Sequence, residues 1–179
     1  MNNKLILLLF SLVIFSCKQE NKLKQNNKSK SQVNKEQLIE YKFDFPDTVF
    51  INEKYNGIID YKSILDTITT SFDDKKNSRY VLFLLSISKE KPDYDFEYLK
   101  KHIKDTFGAL NNRIININDV EFSEVGEFYI DGIINDLVAI ETDIKDEDGL
   151  NMIRLIENEQ RVTHKVIAIR RPTQVNSRE

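Results

Sequence analysis

Hydrophobic and polar residues alternate through much of the chain after residue 40, and this period of two predicts β-strands. The segments Lys42–Phe45 and Thr48–Ile51 both alternate, with a Pro-Asp break between them. Farther along, Ile59 and Tyr61 share one face of a predicted strand. Asn56–Gly57 precedes that strand, and this dipeptide is typical of a tight hairpin turn.

Residues 80–88 are apolar on both alternating faces, which is typical of a central strand covered on both sides. A polar loop, residues 71–79, precedes this strand. Strand signals resume after residue 113 and continue almost to the end of the chain. The predicted closing strands lie at 114–118, 120–122, 133–141, 152–156 and 163–171.

One segment has the period of a helix instead of a strand. Its apolar residues are spaced three and four apart: Phe96, Leu99, Ile103 and Phe107. Asp93 or Asp95 can cap the amino end, and Gly108 stands where a helix would stop. We predict one helix over residues 95–107, with His102 beside its apolar stripe.

Residues 123–132 resemble the E–F corner of immunoglobulin-like sandwiches, where an acidic residue, a glycine, an aromatic and a buried residue follow at two-residue steps. Glu124, Gly126, Phe128 and Ile130 take those places. Together with the number of predicted strands, the resemblance favours a mainly β fold, an antiparallel two-sheet immunoglobulin-like sandwich, into which the helix near 95–107 is inserted. An α+β fold, with that helix packed on an antiparallel sheet, is the alternative.

The first sixteen residues have the pattern of a secretory signal peptide. Leu5–Phe15 holds eleven residues of which only one is polar, whereas a membrane-spanning helix needs roughly 20. A buried core helix is the alternative interpretation. The residues Ile14-Phe15-Ser16-Cys17 resemble a bacterial lipobox. The resemblance implies cleavage before Cys17 and acylation of that residue, so that the chain is held at the lipid bilayer.

The residues after Cys17 are predicted to form a flexible tether. Residues 18–40 hold six lysines and three glutamates with few aliphatic residues, and such a segment buries too little surface to order itself. On random-coil scaling it spans about 25–30 Å. Its lysines either lie against anionic head groups or keep the tether soluble. The predicted organisation is a signal peptide at 1–16, lipidated Cys17 and tether at 17–40, a β-rich domain at 41–171 and a polar tail at 172–179.

The residue usage of the chain, together with the sequence CKQEN at residues 17–21, resembles lipoproteins of Bacteroidota. That resemblance implies a lipid-anchored position in the cell envelope, at the outer membrane, with the inner or outer face left open. Residues 41–179 hold nineteen Lys and Arg against twenty-six Asp and Glu. An acidic domain makes a nucleic acid an improbable partner, because phosphate contacts dominate that affinity.

The acidic segment Asp143–Gly149 suggests calcium. However, an EF-hand alignment that places Gly149 at the sixth position puts Ile144 and Leu155 where oxygen ligands are required, so it fails. Two interpretations of this segment remain: an irregular calcium site, or a solvated turn between two strands. His102 and His164 are far apart in sequence and Cys17 is the only cysteine, which makes a zinc site improbable.

The chain shows no nucleophile-elbow, zinc-protease, phosphate-loop or dinucleotide pattern, so we assign no catalytic residue, cofactor or metal ligand. The aromatic residues Tyr80, Tyr94, Phe96 and Tyr98 form either a binding patch or part of the core. The first hypothesis is a non-enzymatic binding or accessory module for an envelope protein or glycan. The alternative is an envelope-polymer hydrolase that uses paired carboxylates.

Overall fold

A computed structural model describes residues 38–172 of the chain. Cys17, the signal peptide, the tether up to residue 37 and the tail from residue 173 lie outside the described residues. Eight strands, one 3₁₀ turn at Ile64–Thr67 and one helix make up the fold. The bounds are β1 Ile39–Asp44, β2 Thr48–Phe50, β3 Lys54–Ser63, β4 Asn77–Ser88, α1 Phe96–Lys101, β5 Asp105–Gly108, β6 Ile114–Glu121, β7 Gly126–Lys145 and β8 Asn151–Ile169.

The strands form two sheets, one ordered β1-β3-β6 and the other ordered β2-β8-β7-β4-β5. All pairings are antiparallel except the one between β2 and β8. The orders β1-β3-β6 and β8-β7-β4 match strands A-B-E and G-F-C of immunoglobulin-like sandwiches. The predicted mainly β, two-sheet sandwich is therefore confirmed, and the segment resembling an E–F corner does connect β6 to β7.

The core lies between the two sheets, and the alternation seen in the sequence decides which side chains enter it. Ile59 and Tyr61 of β3 share one face, as predicted, and both are buried, while the preceding residue Ile58 is 46% exposed. From the facing sheet, Phe83 and Ile134 are fully buried in the same core. Burial of such side chains is the main source of stability in the sandwich.

The predicted hairpin turn at Asn56–Gly57 is wrong, because both residues lie inside β3. The chain instead turns just before β3, where Asn52 adopts a left-handed φ of 61°. Gly57 has a packing role: a β-carbon there would lie 2.6 Å from a ring carbon of Phe45. The glycine is required by close packing between chain segments, which a dipeptide pattern cannot distinguish from a turn.

The predicted helix at 95–107 is correct in type and too long. Asp95 caps α1, its carboxylate accepting a hydrogen bond from the Tyr98 backbone N–H at 2.8 Å, but the helix ends at Lys101. Residues 105–108 form β5 and pair with β4. In that strand Phe107 packs against the core between the sheets. The hydrogen bonds offered by β4 explain why the helical period does not persist.

The last two strands form a hairpin longer than the sequence pattern predicts. The three separate predicted segments at 133–141, 152–156 and 163–171 belong to β7 and β8, which have 20 and 19 residues. A turn does connect the two strands, as predicted for Asp143–Gly149, but it begins at Asp146 because β7 continues to Lys145. Within it, the Asp146 carboxylate accepts hydrogen bonds from the backbone N–H groups of Asp148 and Leu150, at 3.0 and 2.8 Å.

β1 begins at Ile39, two residues before the predicted domain boundary, and that side chain is fully buried. Within residues 38–172, no helix has the length and apolar character to cross a bilayer.

Candidate interaction surface

The five-stranded sheet has an outer face, turned away from the other sheet, and the segment carrying α1 covers only half of it. Arg161 of β8 donates a hydrogen bond to the backbone carbonyl of Tyr94 at 2.7 Å. Nearby, the Lys100 ammonium lies 2.8 Å from the Glu159 carboxylate. Leu99 of α1 is fully buried. This half of the outer face is therefore a second, smaller packed layer.

The other half of the outer face carries large apolar side chains that nothing in residues 38–172 covers. Ala139 of β7 pairs with Leu155 of β8, and the next outward position on β8 is Ile153. Leu155 and Ile153 are each 64% exposed, Leu150 is 66% exposed and Tyr80 of β4 is 59% exposed. We call Tyr80, Leu150, Ile153 and Leu155 the hairpin patch. Single exposed apolar residues are ordinary, but a cluster of this kind marks an interaction surface.

A groove of about 450 Å³ lies beside the hairpin patch. Ala139, Leu150 and Ile153 contribute its apolar lining, while Lys75, Lys76 and Lys145 contribute positive charge. Among residues 38–172, no carboxylate lies within 4.0 Å of any of these three ammonium groups. The groove is thus cationic on a domain whose sequence is acidic.

The inner face of the same sheet holds a buried charge network. Arg79 donates two hydrogen bonds to the Asp136 carboxylate, and donates a third to Asp66 at 2.7 Å. Asp66 also pairs with Arg113 at the margin of the core. Burial opposes the charge on Arg79, but the hydrogen bonds to Asp136 and Asp66 outweigh it and raise its pKa. In the neighbouring Tyr61, burial disfavours the charged phenolate and therefore raises the pKa.

A second buried carboxylate, Asp131, lies on the outer face beneath the α1 segment. Arg161 donates two hydrogen bonds to it, at 2.9 and 2.7 Å, and the Thr163 hydroxyl donates a third at 2.8 Å. Hydrogen bonds to Asp131 raise the pKa of Arg161. Burial, followed by a hydrogen bond to Asp131, raises the pKa of Tyr94 to about 12.

Asp131 and Asp136 are the carboxylates that a paired-acid mechanism would first consider, because both are fully buried. They occupy opposite faces of β7, since they are five residues apart in a strand of period two. Each also faces an arginine that neutralises its charge. This pair therefore cannot converge on one bond of a substrate.

The four aromatic residues considered as a binding patch are divided by the fold. The rings of Tyr94 and Tyr98 pack at a tilt, with 4.7 Å between their centroids, and Tyr98 stacks on His102 at 3.9 Å. Phe96 is half-buried, whereas Tyr80 belongs to the hairpin patch. In the stack, His102 Nδ1 lies 2.7 Å from the Tyr98 carbonyl oxygen, so its ring is fixed to α1.

His164 lies on the opposite side of the five-stranded sheet from His102. Its ring packs against Phe43 at 5.2 Å, and its Nε2 lies 3.2 Å from the Asp47 carboxylate. The two histidines therefore do not meet. Residues 38–172 contain no group of three His, Cys, Asp or Glu side chains placed to hold a metal ion.

Sequence reasoning missed the two buried ion pairs and the hairpin patch. A signal for the ion pairs exists, because Asp131 and Asp136 are the only charged residues in a mainly apolar run from 128 to 140, and a charge inside such a run needs a partner. The hairpin patch has no comparable signal in the sequence. No protein-family model, curated protein or solved structure matches the chain.

Proposed function

We propose that the chain is a lipid-anchored envelope protein whose domain is a non-enzymatic binding or accessory module. The observation that carries the binding role is the hairpin patch, whose four large apolar side chains are 59–66% exposed, three of them on paired strands and Leu150 directly before β8. A protein keeps such a surface at a cost in solubility, so a partner that covers it is the natural explanation. The anchor rests on the lipobox resemblance at Cys17.

The same geometry favours binding over hydrolysis. A glycosidase that uses two carboxylates needs them about 5–10 Å apart across an open cleft. Asp131 and Asp136 instead face opposite sides of β7, and each is held by an arginine. The partner is an envelope protein or glycan in the proposal, and the tether allows the domain to reach it from the outer membrane.

Replacing Cys17 by Ser tests the anchor. Under the proposal, this variant loses incorporation of labelled fatty acid and moves from the membrane fraction to the soluble fraction. The matched control is Ser11→Ala, which lies in the same apolar segment without altering the cysteine. Continued acyl labelling of the Cys17→Ser variant would contradict the anchor.

Site-specific crosslinking tests the binding role separately. A photoreactive residue at Leu155, in cells producing the protein, should give a discrete adduct. The same residue at Lys62, which is exposed on the other sheet, should give none. Equal crosslinking at the two positions would mean that the hairpin patch is not the binding surface.

A further inference from the structure

We propose that the groove beside the hairpin patch binds the anionic head and part of the apolar tail of a single amphiphilic molecule. The inference goes beyond the proposed function, because it assigns a small-molecule site beside the surface that is proposed to bind a protein or glycan. It depends on three features of the groove: its unpaired lysines, its apolar lining and its position beside an acidic turn.

The lysines approach the groove from two sides. Lys75 and Lys76 precede β4, and the backbone N–H of Glu141 donates to the Lys76 carbonyl at 2.9 Å, which holds that segment against β7. Lys145 stands at the end of β7, paired in register with Asn151. A head group between these segments can meet ammonium groups from both of them, which is how a cationic cleft concentrates anions.

Two carboxylates near the lysines, those of Asp74 and Glu141, are already engaged by other donors. Asp74, next to Lys75, accepts hydrogen bonds from the Asn77 side chain and from backbone N–H groups, and these lower its pKa. Glu141 accepts a hydrogen bond from the Asn151 side chain. The three lysines therefore outnumber Glu141, the one carboxylate that lines the groove, and they favour an anionic ligand.

The apolar lining of the groove favours a ligand that carries an alkyl tail in addition to its anionic head. Ala139, Leu150 and Ile153 form one side of the groove, and exposed Leu155 extends the apolar surface past it. The volume of about 450 Å³ lies within the range of sites for single small molecules, about 300–1,000 Å³. A carboxylate or phosphate ester with one alkyl chain has the matching chemistry.

The acidic turn argues against an anionic bilayer as the occupant. Asp146, Glu147 and Asp148 are exposed at the tip of the same hairpin. If the hairpin lay on a bilayer of anionic lipids, these carboxylates would meet head groups of the same sign. A single amphiphilic molecule can enter the groove without placing other anionic head groups against the carboxylates of the turn.

The test measures calorimetric binding of dodecanoate, below its micellar concentration, to the chain from Cys17 onward made without acylation. We expect saturable binding that strengthens from octanoate to dodecanoate and is absent for dodecyltrimethylammonium, which has the same tail and the opposite charge. The variant Lys75→Gln/Lys76→Gln/Lys145→Gln should bind dodecanoate about tenfold more weakly, because each exposed ion pair contributes modestly.

A matched control removes three exposed lysines elsewhere, Lys42→Gln/Lys62→Gln/Lys101→Gln, and should bind as the unaltered chain does. Equal weakening in the two triple variants, or equal binding of the cationic surfactant, overturns the inference. Lysine-dependent binding to phosphatidylcholine vesicles containing phosphatidylglycerol, without binding of dodecanoate, also overturns it in favour of a bilayer.

The two proposals fail separately. A chain that crosslinks through Leu155 but does not bind dodecanoate retains the proposed function and loses this inference. A chain that binds dodecanoate but gives no position-specific adduct and no acyl labelling at Cys17 loses the proposed function and keeps the groove.

Discussion

Arg79 and Asp136 form a two-point ion pair across strands β4 and β7, with N–O distances of 2.9 and 2.8 Å and neither side chain exposed. Replacing Asp136 by Asn should lower the free energy of unfolding by about 3–5 kcal/mol, because the buried guanidinium loses its two-point counter-charge and keeps only the single ionic contact with Asp66. Urea denaturation followed by circular dichroism measures the change.

The matched control is an exposed pair, Lys54 and Asp119, whose side chains are 63% and 67% exposed. Lys54→Gln should cost less than about 1 kcal/mol. The double variant Arg79→Met/Asp136→Leu should be less destabilised than the two single changes predict together, since it leaves no unpaired charge. A cost for Asp136→Asn no larger than that of Lys54→Gln would contradict the assignment of this pair as a buried contact.

Gly132 is required where β7 passes the Phe83 ring. A β-carbon at this position would lie 2.5 Å from two ring atoms of Phe83 and 2.6 Å from the Leu84 carbonyl oxygen. Gly132→Ala should therefore destabilise the sandwich by about 1–3 kcal/mol, the cost of overpacking a core. Gly108→Ala is the control, because its nearest contact would be at 4.0 Å. Thermal melting of the two variants should separate them, and equal melting temperatures would refute the close approach.

Tyr94 links alkaline pH to stability. Its folded pKa of about 12 lies above the ordinary value of 10 because of burial and then the hydrogen bond to Asp131. A phenol with a raised pKa contributes stability that is complete below pH 10 and is lost as the pH rises from 10 towards 12. In urea titrations across that window, the unaltered chain should lose stability more steeply than Tyr94→Phe. Parallel slopes for the two proteins would contradict the burial of this hydroxyl.

The strand faces could be predicted because alternation is a local property of the sequence. Ile59 and Tyr61 are buried where the period of two places them. The end of α1 could not be predicted in this way, because β5 forms by pairing with the distant strand β4. The hairpin turn predicted at Asn56–Gly57 was wrong for the same reason, because the contact that requires Gly57 is with Phe45, twelve residues earlier.

The candidate surface was harder to predict than the fold. Ile153 and Leu155 lie in a strand-like sequence that has the composition of a buried segment, yet they are exposed. Whether such a strand is covered depends on how far the α1 segment extends over the outer face. No pattern within residues 152–156 predicts that extent. The lysines of the groove come from β7 and the segment before β4, so only the register of the sheet brings them together.

The amino-terminal limit of the domain gives a further prediction. Ile39 is fully buried in β1, so Ile39→Ala should cost about 2–5 kcal/mol of unfolding free energy. Removing residues 18–35, which the sequence predicts to be a tether, should leave the melting temperature unchanged. Circular dichroism melts of both chains provide the comparison. A large drop on removing 18–35 would mean that this segment packs on the domain.

The hairpin patch should contribute little to folding, because its side chains are already in water. The variant Ile153→Thr/Leu155→Thr keeps branched residues suited to strands, and its free energy of unfolding should stay within about 1 kcal/mol of the original. The control Ile134→Thr places a hydroxyl in the core and should cost more than about 2 kcal/mol. Urea denaturation measures both changes. If the double variant is destabilised as much as Ile134→Thr, the hairpin patch contributes to the stability of the fold. If the double variant keeps its stability, and Ile153→Thr combined with the photoreactive residue at 155 gives no adduct, the surface serves to bind a partner.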